Sequence, residues 1–354
     1  MHAEHIEKET MMLYKGNIPD FVEDELDRLY GARYATWPHF NAVIAQSAAS
    51  TFTLARSGET LAIILFSVRT HVLTVLNEGI LMDGFIIKKF TEFMFRENPE
   101  LHVICMNAVE IDRVCLDRPH HRTICASDLT MRLPVTHDWM STLSPQYRSQ
   151  IRRNIKRMAS MDATFVFELF EKEAVDPRDV RAILALHQAR MAGKNKRSTI
   201  DDHENEKIID FVRQRGFVGM IRLKGKLCAG VIVYRLGKNY ALRMLGHDSA
   251  YNQYSIGATA LVLTIERAAM QHTGGTFFFG WGDEAYKFRL GARKRELWQL
   301  VIYRTPMSLL QNLPLAARAL WRAAILRTRQ WVRRMRAIRV PGNVSAGTSR
   351  MMPG

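Results

Sequence analysis

Hydrophobic and polar residues follow the same order in two stretches of the chain. FTLARSGETLAIILFSVRTHVLTVLNEG (Phe52–Gly79) and VGMIRLKGKLCAGVIVYRLGKNYALRMLGHD (Val218–Asp248) each contain three apolar runs, separated by a glycine turn and a polar break. Apolar runs of this length between turn residues predict three antiparallel strands joined by tight connections. Matching positions are offset by 166 or 167 residues: Gly58 and Gly225, Ala62 and Ala229, Arg69 and Arg235. The offset predicts that one structural unit occurs twice.

The segments on either side of each stretch also correspond. A strand-like MMLY and a helical pattern over residues 20–40 precede the first stretch, while TFVFELF and a helix start at Asp176 and Pro177 precede the second. A helical IIKKFTEFMFREN and a strand-like LHVICMNAV follow the first stretch, and SIGATALVLTIERAAMQHTGG and TFFFGWG follow the second. Each unit is therefore predicted to run strand, helix, three antiparallel strands, helix, strand. A coincidental alternation of helices and strands is the alternative.

This pattern predicts an α+β fold built from two tandem units with mixed, mainly antiparallel sheets. We expect the first unit in residues 1–135, the second in 136–305, a basic amphipathic helix in 306–340 and a disordered tail in 341–354. A chain of 354 residues with 47% hydrophobic content is long and apolar enough for two medium-sized cores. A mainly disordered chain is excluded.

Cysteine and histidine spacing gives no sign of a metal or redox site. The four cysteines, Cys105, Cys115, Cys125 and Cys228, lack the close pairs of zinc or redox motifs, and the adjacent histidines of DRPHHR lack a partner at ligand spacing. We therefore expect no metal. The chain shows no signal-peptide apolar region and no uninterrupted apolar window of about 18 residues. A cytoplasmic protein that does not span the membrane is expected.

Positive charge is concentrated at the end of the chain. The formal net charge is +15, and residues 297–354 contain ten arginines and no Asp or Glu. At about 100° per residue, arginines form one stripe about 60° wide, and apolar residues cluster opposite. The basic stripe is Arg318, Arg322, Arg329, Arg333 and Arg336; the apolar cluster is Leu313, Leu320, Ala324, Trp331, Met335 and Ile338. This pattern favours binding of residues 312–340 to an anionic membrane, with a helix docked on the protein body or bound to RNA as alternatives.

Two local patterns in the second unit carry candidate chemistry. TFFFGWGDEAYKFRLGARKRE, Thr276–Glu296, is an apolar strand that ends at two glycines and turns to acidic, phenolic and cationic residues. HDSAYNQYSIGATALVL, His247–Leu263, contains a helix start of small residues, whose amides can bind a phosphate or act as a plain helix cap.

These patterns resemble the GNAT superfamily of N-acyltransferases. FFFGWGDEAYKFRLGA resembles the strand and G-D-x-x-Y-K-x-x-x-G ending of the CelD-like branch, which is associated with cellulose and exopolysaccharide biosynthesis. YRSQIRRNIKRM resembles an R-x-x-I/L-R-R segment found in that branch and in the Fem-type transferases, which are tandem GNAT units. The usual phosphate loop, Q/R-x-x-G-x-G/A, is not matched, because Gln253 lies four residues before Gly257 and Thr259 replaces a smaller residue.

The resemblance implies an acyl-CoA donor, with two central strands that splay apart around the thioester. It places the donor on Leu245 and Gly246 and on the helix start, at Ser255, Ile256, Gly257, Ala258 and Thr259. Candidate catalytic residues are Asp283 or Glu284 as the base, Tyr286 as the acid for the thiolate, and Lys287 for carbonyl charge or acceptor positioning. Candidate substrate-binding residues are Arg148, Arg152, His187, His247 and Asp248.

The sequence as a whole predicts an N-acyltransferase that moves an acyl group from acyl-CoA, or from an acyl carrier protein, to a small-molecule amine. The resemblance implies a sugar or amino-acid acceptor in envelope or exopolysaccharide assembly, and a first unit that is structural or substrate-binding. An aminoacyl-tRNA-dependent transferase of the Fem type is the alternative enzyme. A non-catalytic basic protein that docks on membrane or nucleic acid is the alternative from another class.

Overall fold

The fold was obtained as a computed structural model that describes residues 9–32, 49–111, 122–193, 202–271, 274–282 and 284–338. Within these residues the strands are β1 (Glu9–Tyr14), β2 (Ser50–Arg56), β3 (Glu59–Arg69), β4 (Val72–Val75), β5 (Leu81–Met82), β6 (Val103–Ile111), β7 (Arg122–Pro134), β8 (Val166–Glu171), β9 (Gly216–Leu223), β10 (Lys226–Leu236), β11 (Asn239–His247), β12 (Thr276–Trp281) and β13 (Arg293–Tyr303). The helices are α1 (Val22–Leu29), α2 (Gly84–Glu97), α3 (Trp139–Thr142), α4 (Pro145–Met161), α5 (Pro177–Ala192), α6 (Asp202–Arg215), α7 (Ile256–Gln271), α8 (Ala285–Arg289), α9 (Pro306–Gln311) and α10 (Leu313–Ile338).

The same order of elements occurs twice, as the hydrophobic pattern predicts. The first unit runs β1, α1, β2–β3–β4, α2, β6, and the second runs β8, α5 and α6, β9–β10–β11, α7, β12. The first hairpin turn of each unit has two left-handed residues, Ser57 and Gly58 in one and Lys224 and Gly225 in the other. Positive φ at both central residues defines the type I′ turn that two-residue hairpins favour. The predicted α+β fold with a mixed sheet is confirmed.

Each unit completes its sheet with a strand from the other unit. The strand order is β1-β2-β3-β4-β6-β13-β7-β12-β11-β10-β9-β8, with β5 beside β6. β6 of the first unit pairs with β13 from the end of the second, whereas β12 of the second unit pairs with β7. β7 and β13 also pair with each other. The sheet is continuous across residue 135, so the predicted domain boundary there stays a prediction.

Helices cover both faces of the second unit's sheet. Alternate residues of β10 point to opposite faces: Val231 and Val233 pack in a cluster with Ile256 and Ala260 of α7, while Ile232 and Tyr234 pack with residues of α5 and α6. Residues of α2 pack on the first unit's sheet in the same way. The second unit thus presents β11 and β12 between two helical layers.

The predicted tail helix is two helices. The break lies at Asn312, and Pro314 occupies the first turn of α10, where proline is tolerated. The Asn312 side chain is buried; its Nδ2 donates to Ser308 O (2.8 Å) and its Oδ1 lies 3.2 Å from His71 Nε2. No described helix is both long and apolar enough to cross a bilayer. The tail predicted to be disordered, residues 341–354, lies outside the described residues.

Candidate functional site

The two central strands of the second unit separate soon after they meet. Among the described residues, β11 and β12 pair in parallel at two positions, Tyr240 with Phe277 and Ala241 with Phe278. On its other side β11 has a bulge against β10, which leaves Arg243 without an opposite residue. Beyond these pairs a fork opens between the strands. The predicted splaying of the two central strands is confirmed.

The corresponding strands of the first unit stay closed. Val72–Val75 pairs in parallel with β6, and beyond β4 the Gly79 amide still donates to Ala108 O of β6 (2.7 Å). At the start of α2 the Asp83 carboxylate accepts from the Ile86 amide (2.8 Å). In the first unit, backbone of the same unit therefore pairs with β6 beyond β4. The Asp83 carboxylate occupies the position at the start of α2 where an anion would bind.

The start of α7 offers backbone donors. Thr259 N–H donates to Ser255 O (3.0 Å), and the amides of Ile256, Gly257 and Ala258 precede this bond, at positions that have no intrahelical acceptor. Such amides and the positive end of the helix dipole bind anions. The buried Thr259 hydroxyl donates back to Ser255 O (3.2 Å), so it is engaged within the helix.

His247 and Asp248, predicted to bind substrate, have structural partners. Asp248 accepts from the Ala250 amide (3.0 Å) and pairs with Lys226 Nζ (3.1 Å), and both contacts hold the pKa of its carboxyl below the usual value. The His247 ring packs against Gly257, where a Cβ atom would lie 2.6 Å from Nδ1. The small residue at position 257 is therefore required by the His247 ring, whether or not a ligand binds.

A basic cavity of about 420 Å³ lies between α4 and the segment that leads into α7. Its lining is Arg153, Lys156, Arg157, Ser160, Met161 and Tyr254. The Arg157 guanidinium lies over the Tyr254 ring at 5.1 Å from the centroid. Among the described residues, none of the three cations forms an ion pair with a carboxylate. The cavity combines positive charge with an aromatic face.

The two α4 arginines chosen from the sequence do not line this cavity. Arg148 donates to Ser141 O (2.7 Å), and Arg152 is exposed. The cavity-lining residues recur at positions 153, 156, 157 and 160, which is the spacing of one helical face. A search for cations at i, i+3 and i+4 would have found them.

A polar group from α5 and α8 lies at the fork. His187 Nδ1 is 3.1 Å and Arg190 Nη2 3.4 Å from Leu245 O of β11. Burial lowers the pKa of His187, and it raises the pKa of Tyr286 to about 12, opposed by nearby Arg190. Because a carbonyl only accepts, Nδ1 of the neutral imidazole carries the proton, and Nε2 carries the lone pair. Arg190 gave no signal in the sequence beyond its spacing from His187.

Gly246, predicted to bind the donor, is the place where α5 touches the sheet. A Cβ atom there would lie 2.3 Å from Ile183 O, and one on Gly230, its cross-strand partner, 2.2 Å from the Ile183 side chain. The glycine pair forms a notch that seats α5. This contact brings His187 to the Leu245 carbonyl.

The loop after β12 is held by an internal ion pair. Lys287 is 2% exposed, and its Nζ lies 2.7 Å from Glu284 Oε2 and donates to Gly282 O (3.1 Å). Trp139, from the joint between the units, donates through Nε1 to Leu290 O (3.2 Å). Lys287 and Glu284 thus bind each other. Asp283 lies outside the described residues, so its predicted role stays a prediction.

Among the described residues, no group of three His, Cys, Asp or Glu is placed to hold a metal ion.

Comparison with known proteins assigns the fold of this region. Residues 145–288 match the family described as an acetyltransferase (GNAT) domain. FemX is similar in structure with a TM-score of 0.60 and 11% identity, over 85% of this chain and 99% of that one. L-PGS from Bacillus licheniformis is similar with a TM-score of 0.50 and 11% identity, over 88% and 99%. No curated protein matches the sequence. The second unit has the GNAT acyltransferase fold; the CelD-like assignment stays a prediction.

Proposed function

We propose that the second unit transfers an acyl group from the thioester of an acyl-CoA to a primary amine. The observation that carries the proposal is the fork between β11 and β12, which opens beside a helix start with available amides and a basic cavity. The acceptor we propose is the amine of a sugar or amino-acid intermediate of envelope or exopolysaccharide assembly, the class implied by the sequence resemblance.

The donor's two ends fit different parts of this surface. The amides of Ile256, Gly257 and Ala258 would hold the diphosphate, since helix starts favour anions. The cavity would take the phosphorylated adenosine, with Arg153, Lys156 and Arg157 near phosphate and Tyr254 near the base. The thioester would then lie in the fork. An acyl carrier protein presents the same thioester without the nucleotide, so the cavity favours CoA.

His187 is the base that the structure favours. Its lowered pKa keeps the imidazole neutral at neutral pH, and its Nδ1–H is donated to Leu245 O. The Nε2 lone pair is then the group able to accept a proton as the amine nitrogen forms its bond to the thioester carbon. Of the two bases predicted from the sequence, Glu284 forms an ion pair with Lys287, so its carboxylate is already engaged. We infer that Glu284 and Lys287 position the loop.

Tyr286 would stabilise the leaving sulfur as a hydrogen-bond donor. With a pKa of about 12, its hydroxyl stays protonated at neutral pH. A free thiol has a pKa of about 8.5, so complete proton transfer from this phenol to a thiolate is unfavourable. As the carbon–sulfur bond breaks, an O–H donor still lowers the energy of the developing charge. Tyr286 thus differs from the full proton donor expected from the sequence.

The donor site can be tested by calorimetric titration with acetyl-CoA and with S-acetylpantetheine, which lacks the nucleotide. We expect the Arg153→Ala/Arg157→Ala variant to bind acetyl-CoA about 10- to 100-fold more weakly, since a charge-assisted hydrogen bond contributes about 1.5–3 kcal/mol. Binding of S-acetylpantetheine should not change. Arg213→Ala/Arg267→Ala is the matched control, because both arginines are exposed on other helices of the same unit.

Two results would contradict this donor. Equal affinity of the unmodified protein for acetyl-CoA and S-acetylpantetheine would show that the cavity binds no nucleotide and would favour a carrier protein. Tight binding of aminoacyl-tRNA, lost in the Arg153/Arg157 variant, together with no binding of acetyl-CoA, would instead support a tRNA-dependent transferase.

A further inference from the structure

The helix α10 docks on the protein through a stripe of alanines. Ala316, Ala319 and Ala323 are at most 7% exposed, and Ala316 packs in a cluster with Val301 and Tyr303 of β13. Small side chains allow a helix to approach a sheet closely. The contact therefore occupies the alanine face, with Leu315 partly buried beside it, and leaves Leu313, Leu320, Trp321 and Trp331 exposed.

Those exposed side chains, together with the exposed apolar side chains of α9, are here called the tail surface. Its apolar residues are Met307, Leu310, Leu313, Leu320, Trp321 and Trp331. Trp321 is 69% exposed and Trp331 62% exposed, which is unusual for the largest apolar side chain. At about 100° per residue, Leu313, Leu320 and Trp331 fall within about 20° of one line along α10. That line lies about 40° to 120° from the docked alanines. Its side chains are exposed, so the surface is accessible while the helix stays docked.

Exposed arginines of α10 lie beside this apolar line and on the face opposite it. By the same geometry, Arg327 lies about 40° from the line, and Arg318 and Arg322 lie on the opposite face, about 140° to 180° from it. All three are exposed. Residues 297–354 contain no acidic residue that could neutralise them locally. An exposed apolar face with Trp and Leu, and a cationic face opposite it, is the pattern of a helix that lies in a membrane interface.

We propose that the tail surface binds the face of an anionic lipid bilayer, with the tryptophans and leucines among the acyl chains and the arginines at the headgroups. Long cationic side chains can place an apolar stem in the interface and the charge in the headgroup layer. This proposal concerns α9 and α10 and does not depend on the reaction of the second unit. It retains the partner expected for residues 312–340 but assigns the contact to the tail surface of the docked helices.

Other occupants fit the tail surface less well. A nucleic acid would neutralise the arginines but would leave an exposed apolar row of Leu and Trp in water. A second copy related by two-fold symmetry would place the same surface on itself, so that arginines face a segment without acids. An anionic bilayer satisfies the apolar and the cationic part together.

The full chain should be tested by co-sedimentation with vesicles of phosphatidylcholine and phosphatidylglycerol, and with vesicles of phosphatidylcholine alone. We expect binding to the mixed vesicles that weakens with added salt, because exposed charges are screened. Arg318→Glu/Arg322→Glu should lower the partition coefficient about tenfold or more. Arg213→Glu/Arg267→Glu makes the same change in net charge on other helices, and we expect little effect from it.

The contribution of the apolar side chains of the tail surface is tested by a second variant and its control. Leu320→Ser/Trp321→Ser should reduce binding to the mixed vesicles, whereas Met270→Ser, which removes an exposed methionine on α7, should not. Equal melting temperatures would show that these variants stay folded. The proposal is wrong if the unmodified chain does not sediment with the mixed vesicles, or if both charge variants reduce binding equally. It is also wrong if Leu320→Ser/Trp321→Ser abolishes a dimer seen by analytical ultracentrifugation. The same conclusion follows if the chain binds RNA and does not bind the mixed vesicles.

Discussion

The protonation states of His187 and Tyr286 decide which of them can accept a proton. Burial lowers the pKa of the imidazole and raises that of the phenol to about 12, so both groups are neutral near pH 7. A neutral imidazole accepts, and a neutral phenol donates. The two residues therefore suit opposite steps of an acyl transfer.

At this scale we predict that Tyr286→Phe lowers kcat about 10- to 100-fold and leaves the Kd of acetyl-CoA nearly unchanged. The variant loses a hydrogen bond to a charge that develops only in the transition state, and such a bond contributes about 1.5–3 kcal/mol. Steady-state kinetics and calorimetry measure the two quantities.

His187→Gln serves as the contrasting variant. The pKa of His187 lies below the usual imidazole value of about 6.5, so its neutral, proton-accepting form predominates above that pH. Activity should therefore rise with pH through a midpoint below about 6.5. This acid limb should persist in Tyr286→Phe and disappear in His187→Gln. An unchanged kcat in Tyr286→Phe would show that water or another group stabilises the sulfur.

At the scale of elements, the packing of α5 on the sheet positions His187 and Arg190 at the fork. The notch of Gly230 and Gly246 admits Ile183, and this contact sets the distance from His187 to Leu245 O. The bulge at Arg243 and the short pairing of β11 with β12 open the fork on the neighbouring side. The site thus depends on the close packing of α5 on β11 and on the short pairing of β11 with β12.

We predict that Gly246→Ala destabilises the protein by about 1–3 kcal/mol and lowers kcat more than it weakens donor binding. The added methyl would lie 2.3 Å from the Ile183 carbonyl oxygen, so α5 must move away from β11. Urea unfolding and steady-state kinetics measure the effects.

Gly193→Ala at the end of the same helix is the control. A Cβ atom there meets its nearest neighbour at 3.5 Å, and the backbone is right-handed helical, so we expect a change within about 0.5 kcal/mol. If Gly246→Ala proved as stable and as active as the control, the seat of α5 would not determine the site.

At the scale of the whole molecule, the exchanged strands join the two units. β13 and β7 lie between β6 and β12, and the Asn239 side chain links Gly31 O of the first unit to the Thr276 amide of the second. Neither unit's sheet is complete without the other. We infer that the units unfold together, so that a buried group near the centre affects the free energy of unfolding of the whole chain.

Tyr240 on β11 is such a group. Its hydroxyl is buried and has no hydrogen-bond partner among the described residues, and burial raises its pKa to about 12. An unfolded phenol has a pKa of about 10, so between about pH 10 and 12 the unfolded chain releases a proton that the folded chain keeps. Stability should be unaffected by this group below about pH 10 and should fall as the pH rises towards 12.

We therefore predict that Tyr240→Phe is neutral or stabilising at pH 7 and removes up to about 2 kcal/mol of the stability lost at alkaline pH. Urea unfolding at pH 7 and near pH 11 measures both effects. Tyr14→Phe, which removes a hydroxyl at the exposed end of β1, is the matched control. A loss of stability at pH 7 in Tyr240→Phe would mean that the hydroxyl has a partner.

Much of this architecture follows from local sequence patterns. Apolar runs separated by turns predict the two units, and the matched Gly58 and Gly225 both occur in type I′ turns. The small residues at the start of α7 and the glycine-rich end of β12 also lie where the sequence predicts. These features depend on residues close together in the chain, and periodicity and turn chemistry record such interactions directly.

The tertiary structure alone decided the remaining features. The exchange of β7 and β13, the lining of the basic cavity by Arg153, Arg157 and Tyr254, and the docking of α10 by alanines each depend on residues distant in sequence. A periodic pattern shows that a face is apolar or basic, but it does not identify which element packs against that face. The same limit applies to His187, because its protonation state depends on burial and on a carbonyl of another element.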